Sequence, residues 1–76
     1  GKFGLDPKDP NMWEKLVPFL KTVADYGAQY GPPEQQSAGT VYRFIYDFSD
    51  KGASIVLKLF YHNNGNISIS DAWPMP

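Results

Sequence analysis

The fold is decided by residues 41–61, which read VYRFIYDFSDKGASIVLKLFY. Two runs rich in β-branched and aromatic residues flank the polar stretch 49–52, a pattern typical of two strands joined by a turn. If a four-residue loop pairs Phe48 with Ala53, the large apolar side chains gather on one face of the hairpin. That face, called here the helix-side face, consists of Tyr42, Phe44, Tyr46, Phe48, Ile55, Leu57, Leu59 and Tyr61.

A third strand is predicted over 67–73, ending before Pro74. A two-residue turn at 64–65 would split the apolar face, whereas a three-residue loop at 63–65 pairs Tyr61 with Ile67 and keeps that face continuous. The longer loop requires Gly65 in a left-handed conformation. Strands at about 40–48, 54–61 and 67–73 therefore predict a three-stranded antiparallel meander.

Asp71 is the residue that this register fits badly, because it would lie opposite Leu57 on the helix-side face. Two interpretations follow: strand pairing ends near Ser70, or Asp71 is a carboxylate at the edge of the core. Since ionisable groups near apolar neighbours cluster at functional sites, Asp71 is a secondary candidate residue.

The segment before the strands has a helical period. Its apolar residues recur at alternate spacings of four and three, and they are Met12, Leu16, Phe19, Val23, Tyr26 and Tyr30. This stripe predicts helix within 10–30, packed on the helix-side face. Pro18 opposes a continuous helix, so either one kinked helix or two helices are expected. The chain is thus predicted to be a single α+β domain over 1–76.

The opposite face of the sheet, called here the outer face, is half apolar with two central cations. Its predicted partner-binding residues are Val41, Arg43, Ile45, Val56, Lys58 and Phe60. Another part of the chain could cover such a face. The functional interpretation is an interface with Phe60 and Val41 as apolar anchors. We expect a non-catalytic interaction domain, such as an inhibitor, an immunity-type protein or a subunit module, whose partner is another protein or a second copy.

Composition excludes several other functions. The 76 residues carry a net charge of −1, so no basic field attracts nucleic acid. There is no cysteine, and no apolar run reaches the ~20 residues of a membrane span. We expect no metal and no cofactor, because His62 is the only histidine. The compartment stays undetermined, with a soluble secreted or periplasmic protein among the alternatives. A small hydrolase or nuclease fragment using His62 with Asp71 or Arg43 is the enzymatic alternative.

One segment carries a family resemblance. Gln35-x-Ser37-x-Gly39 followed by Thr40-x-Tyr42 resembles the Gln-x-Val-x-Gly hairpin of the cystatins, with Ser37 where that family has valine. Trp73-Pro74 is similar to the later tryptophan-containing hairpin of the same family. The resemblance implies a cystatin-like fold and a wedge that blocks the cleft of a papain-like cysteine protease. It places Gln35, Gly39 and Trp73 at the edge of that wedge.

Overall fold

The structure, a computed structural model, describes residues 4–6 and 8–75. The predicted α+β class is confirmed, because the described residues form one helix packed on an antiparallel sheet of five strands. In chain order the elements are α1 (Met12–Tyr26), β1 (Ala28–Gln29), β2 (Glu34–Gln36), β3 (Gly39–Phe48), β4 (Ala53–His62) and β5 (Ile67–Met75).

The predicted number of strands was wrong, because the sheet has five strands and not three. The two additional strands, β1 and β2, both pair antiparallel with the free edge of β3, where Ala28 lies opposite Ile45 and Gln36 opposite Gly39. The residues of both strands are exposed, and backbone pairing with β3 continues one residue past β1, where the Tyr30 N–H donates to the Arg43 carbonyl at 2.7 Å. A strand built this way has no apolar alternation for a sequence pattern to reveal.

The β3–β4 hairpin has the predicted register. Phe48 pairs with Ala53 across the four-residue loop, and the ladder continues without interruption to Gly39 opposite His62. The β4–β5 turn also begins as predicted, with Tyr61 opposite Ile67. Gly65 has a φ of 92°, the left-handed conformation that the three-residue loop requires.

The register of β5 then changes at a β-bulge, so the placement of Asp71 opposite Leu57 was wrong. Ser70 has no partner in the ladder, and Asp71 pairs with Lys58 instead. One extra residue in a strand moves every later side chain to the other face. Asp71 therefore belongs to the outer face, and β5 continues past Pro74, a residue that an edge strand tolerates.

The helix also differs from the prediction. It is a single helix that runs through Pro18, so the two-helix alternative was wrong. Pro18 is exposed, so water can reach the carbonyl that its missing N–H leaves unpaired. The helix ends at Tyr26 because Gly27 is extended (φ −68°, ψ 154°), which leaves Tyr30 outside the helix and Tyr26 76% exposed.

The core lies between α1 and the helix-side face, as predicted. Its buried members are Leu20, Val23, Phe48, Ile55, Leu57 and Leu59. Phe19 packs edge-on against Phe48, with ring centroids 5.5 Å apart. Because these contacts fix α1 over β3 and β4, they also determine which parts of the sheet stay uncovered.

Candidate interaction surfaces

The outer face brings together the six residues predicted from the sequence. Antiparallel partners share a face, and the ladders give three neighbouring rows across β3, β4 and β5. The rows are Ile45–Val56–Trp73, Arg43–Lys58–Asp71 and Val41–Phe60–Ser68. The central row therefore contains both cations and one carboxylate, and it lies between two rows with apolar members.

Burial divides the six residues into two groups. Val41 is 3% exposed and Val56 is 0% exposed, and neither belongs to the cluster beneath α1. Ile45 and Phe60 are half-buried, as are both cations, so these side chains offer the accessible surface. Val41, predicted as an apolar anchor, is therefore buried within the domain, whereas Phe60 has accessible surface.

Trp73 is an outer-face residue that the sequence analysis did not place there. An uninterrupted β5 register would put it opposite Ile55 on the helix-side face, but the bulge moves it opposite Val56. The badly placed Asp71 was the sequence signal that could have revealed the bulge, because a one-residue insertion corrects both positions together.

The two cations of the outer face are close neighbours without an ion pair. Arg43 lies opposite Lys58, and its Nε donates to the Tyr30 carbonyl at 3.4 Å. Asp71 lies opposite Lys58, but its Oδ1 accepts the Ala72 N–H at 2.8 Å. Within residues 4–6 and 8–75, the one ion pair joins Lys15 to Asp9. The central row of the outer face therefore carries two positive charges and one negative charge, a net charge of +1.

His62 lies near the end of β4, away from the groups proposed to act with it. Its Nε2 is 2.8 Å from the Ser68 Oγ, and the Phe60 ring packs at 4.6 Å. Arg43 is four positions away along the ladder, or about 13 Å, so the His62–Arg43 and His62–Asp71 combinations are not assembled. Among the described residues, the contact with Ser68 is the hydrogen bond that the His62 side chain makes, so none of them orients it as a third group orients a catalytic base. No group of three or more metal-binding side chains occurs among the described residues.

Two turns lie side by side at one end of the sheet. The β2–β3 turn holds Ser37 and Ala38, and Gly39 follows opposite Gln36. Asn63, in the β4–β5 turn, donates from Nδ2 to the Ser37 carbonyl and from its backbone N–H to the Ala38 carbonyl, both at 3.0 Å. These two bonds hold the turns together as one projecting tip.

Gly39 is required at this tip by close packing. A side chain there would collide with the Tyr61 carbonyl and come within 2.7 Å of the Phe60 ring. Gln35, the other residue of the cystatin resemblance, lies opposite Thr40 in the same hairpin. Trp73 is opposite Val56, six positions from His62 along β4 and hence about 20 Å from the tip. The structure thus separates Trp73 from Gln35 and Gly39.

A cleft between α1 and β5 is a third surface, which the sequence analysis missed. It consists of two hollows, of about 430 Å³ and about 350 Å³, each lined by residues of α1, β4 and β5, and Leu5 also lines the smaller one. The larger one has Leu20 and Leu57 in its lining, and on its walls Val17, Ile67 and Ile69 are 53%, 57% and 52% exposed.

The cleft exists because one helix is narrower than the sheet. A helix is about 10 Å wide with its side chains, and strands are about 4.8 Å apart, so a helix covers about two strands. The contacts of α1 with the sheet are mainly to β3 and β4. The sequence predicted which face the helix packs on, but not that β5 would extend beyond it.

Comparison of the chain with protein-family models, curated proteins and solved structures finds no match. In the part of the chain that the structure describes, no helix combines the length and the apolar composition needed to cross a membrane. Function is therefore inferred from the geometry of the three surfaces.

Proposed function

We propose that this chain is a non-catalytic protein-interaction domain that presents its outer face to a protein partner. One observation carries the proposal: Arg43 and Lys58 lie side by side and half-buried at the centre of that face. Adjacent like charges cost stability unless something offsets them. Asp71, opposite Lys58, offsets one of the two charges. The row keeps one net positive charge, which a partner carboxylate would complement.

The apolar surroundings of the cations strengthen this proposal. Ile45, Phe60 and Trp73 are half-buried in the flanking rows, so each leaves part of its side chain accessible. Arginine and aromatic side chains dominate binding energy at protein interfaces. The expected partner surface therefore has an acidic residue surrounded by apolar groups, and an inhibitor, an immunity-type protein or a subunit module could use such a surface.

The proposal is tested by binding to a captured partner. The immobilised domain is exposed to an extract of its source, and the captured protein is identified and titrated against wild type, Phe60→Ala and Lys58→Glu. Both substitutions should weaken binding by more than about 1 kcal/mol, roughly fivefold, if they alter interface hot spots. Ile69→Ser is the matched control, because Ile69 is exposed on the other face. Equal affinity of folded wild type and both variants would reject the outer face.

The paired turns favour a second candidate function, cystatin-like inhibition of a cysteine protease. The two hydrogen bonds from Asn63 join the Gln35–Gly39 segment to the neighbouring turn as a single protrusion. Such a protrusion has a suitable form for entering a protease cleft, although Trp73 would make no contribution to it.

Papain activity measured with increasing amounts of the domain tests this second candidate. Dose-dependent inhibition that weakens when Gln35 and Ser37 become lysine would support it, because both side chains are exposed beside the turn. Full protease activity at a large molar excess of folded domain would reject it for papain-like enzymes. The same Lys58→Glu variant separates the two candidates, since it alters the outer face and leaves the turns intact.

A further inference from the structure

The larger hollow of the cleft has the size of a small-molecule site. Its volume is about 430 Å³, whereas ligand pockets occupy about 300–1,000 Å³. Three of its lining residues, Leu20, Leu57 and Leu59, are buried. Ile67 and Ile69 also line it, and they are 57% and 52% exposed. The hollow therefore has a packed floor and an open apolar wall, so a ligand could enter it while the core stays intact.

One charged residue accompanies this apolar lining. Among the described residues that line the hollow, Lys21 is the charged one, and it is exposed. In the described part of the chain it forms no ion pair, not even with Asp25, which lies one helical turn further along α1. A lysine packs its methylene stem against apolar surface and keeps its ammonium in water. The hollow thus combines apolar walls with one unpaired positive charge.

We propose that this hollow binds a free carboxylic acid with an unbranched aliphatic chain. The chain would lie against the leucine and isoleucine side chains, and the carboxylate would pair with the Lys21 ammonium. Charge and polarity select this class together: an uncharged aliphatic molecule would leave Lys21 unpaired, and a small hydrophilic anion would bury no apolar surface. This site goes beyond the proposed function and lies on the other side of the sheet.

The length of the hollow sets the size of the acid. The α1 residues that line it extend from Val17 to Ala24, about 10 Å at about 1.5 Å per residue. An extended aliphatic chain advances about 1.25 Å per carbon, because a carbon–carbon bond is about 1.5 Å long. The hollow therefore matches a chain of about eight carbons, and further carbons would extend into water.

Titration followed by NMR tests the site with hexanoate, octanoate, decanoate and dodecanoate, each below the concentration at which it forms micelles. Affinity should rise about fourfold for each added methylene up to about eight carbons and then level off, because further methylenes are not buried. The methyl signals of Val17 and Ile69, which line the hollow, should shift. Those of Ile45, on the outer face, should not.

Lys21→Met tests the ion pair, because it removes the charge and keeps an unbranched apolar side chain. It should weaken octanoate binding about twofold to fivefold, the range for an exposed ion pair, and leave binding of uncharged octanol unchanged. Lys51→Met is the matched control, since it removes the same charge from an exposed residue of the β3–β4 loop and should affect neither ligand.

Ala24→Phe tests the apolar part. Ala24 is exposed and lines the hollow, so a ring added there would occupy the space and abolish binding of both octanoate and octanol. Circular dichroism checks that this variant and Lys21→Met are folded. Lys58→Glu should leave octanoate binding unchanged, so this site and the outer face fail independently.

Three results would overturn the proposal. The first is an absence of shifts at Val17 and Ile69 with every acid, or shifts on the outer face in their place. The second is octanoate binding that Lys21→Met leaves unchanged, which would mean that the hollow accepts apolar groups regardless of charge, as it would from a partner protein. The third is an equal loss of octanoate and octanol binding in Lys21→Met, which would give Lys21 a structural role only.

Discussion

Asn63 joins the β4–β5 turn to the backbone of Ser37, with its Nδ2 donating to the Ser37 carbonyl at 3.0 Å. Replacing Asn63 by alanine removes this bond and keeps the backbone bond to Ala38. The expected loss of unfolding free energy is about 0.5–1.5 kcal/mol, the net worth of one hydrogen bond. Urea denaturation measures it, and amide exchange should accelerate at 37–39. Unchanged exchange there would show that the side-chain bond does not hold the tip together.

Gly39→Ala should destabilise the domain by about 1–3 kcal/mol, the usual cost of forcing an added group into a packed site. The new methyl group would collide with the Tyr61 carbonyl, and backbone cannot move as easily as a flexible side chain. Thermal unfolding measures the change. Ser37→Ala, at an exposed position two residues away, is the control and should stay within about 0.5 kcal/mol of wild type. Equal stability of the two variants would contradict the close approach.

Leu57→Ala and Ile69→Ala distinguish the covered part of the helix-side face from the uncovered part. Leu57 is 1% exposed in the core, so its truncation should cost about 2–5 kcal/mol. Ile69 is 52% exposed, so its truncation should cost less than about 1 kcal/mol in the monomer. Urea denaturation at low protein concentration compares the two. A large cost at Ile69 under those conditions would mean that the cleft is closed within the monomer.

The Lys15 ammonium, by hydrogen bonding to Asp9, holds the pKa of that carboxyl below its ordinary value, and the Asn11 N–H adds to the effect. The folded state therefore favours the charged form. The resulting stabilisation is present above the ordinary aspartate pKa of about 3.9 and is lost as pH falls through the lowered folded value. Asp9→Asn should be slightly less stable than wild type at neutral pH and equal to it in strong acid. A difference that persists in acid would show that charge is not its cause.

The elements predicted best were those in which only one strand register places all the large apolar side chains on the same face. Tyr46 and Leu57 each had one partner that kept the helix-side face apolar, and the observed β3–β4 ladder is that solution. The length of the turn at 63–65 followed from the same condition, because the shorter turn would have placed Tyr61 opposite a serine.

The features that could not be predicted from the sequence have no characteristic spacing of apolar residues. Gln29 and Gln36 pair through the backbone, which is identical in every residue, and their side chains are exposed. Pro18 suggested a break, but its position on the solvent side of α1 allows the helix to continue. The cleft depends on the relative widths of helix and sheet, and no local pattern encodes that relation.

Ser70 is the extra residue of the β5 bulge, and it reverses the alternation of side chains between the two faces of the sheet. Before it, alternate residues of β5 face the helix in one phase, and after it they face the helix in the other phase. If Ser70 were instead paired with Lys58 in an uninterrupted ladder, Trp73 would lie opposite Ile55 on the helix-side face and the outer face would lose its aromatic group in this row. The bulge, rather than the simple alternation of residues along β5, therefore determines that Trp73 lies on the outer face.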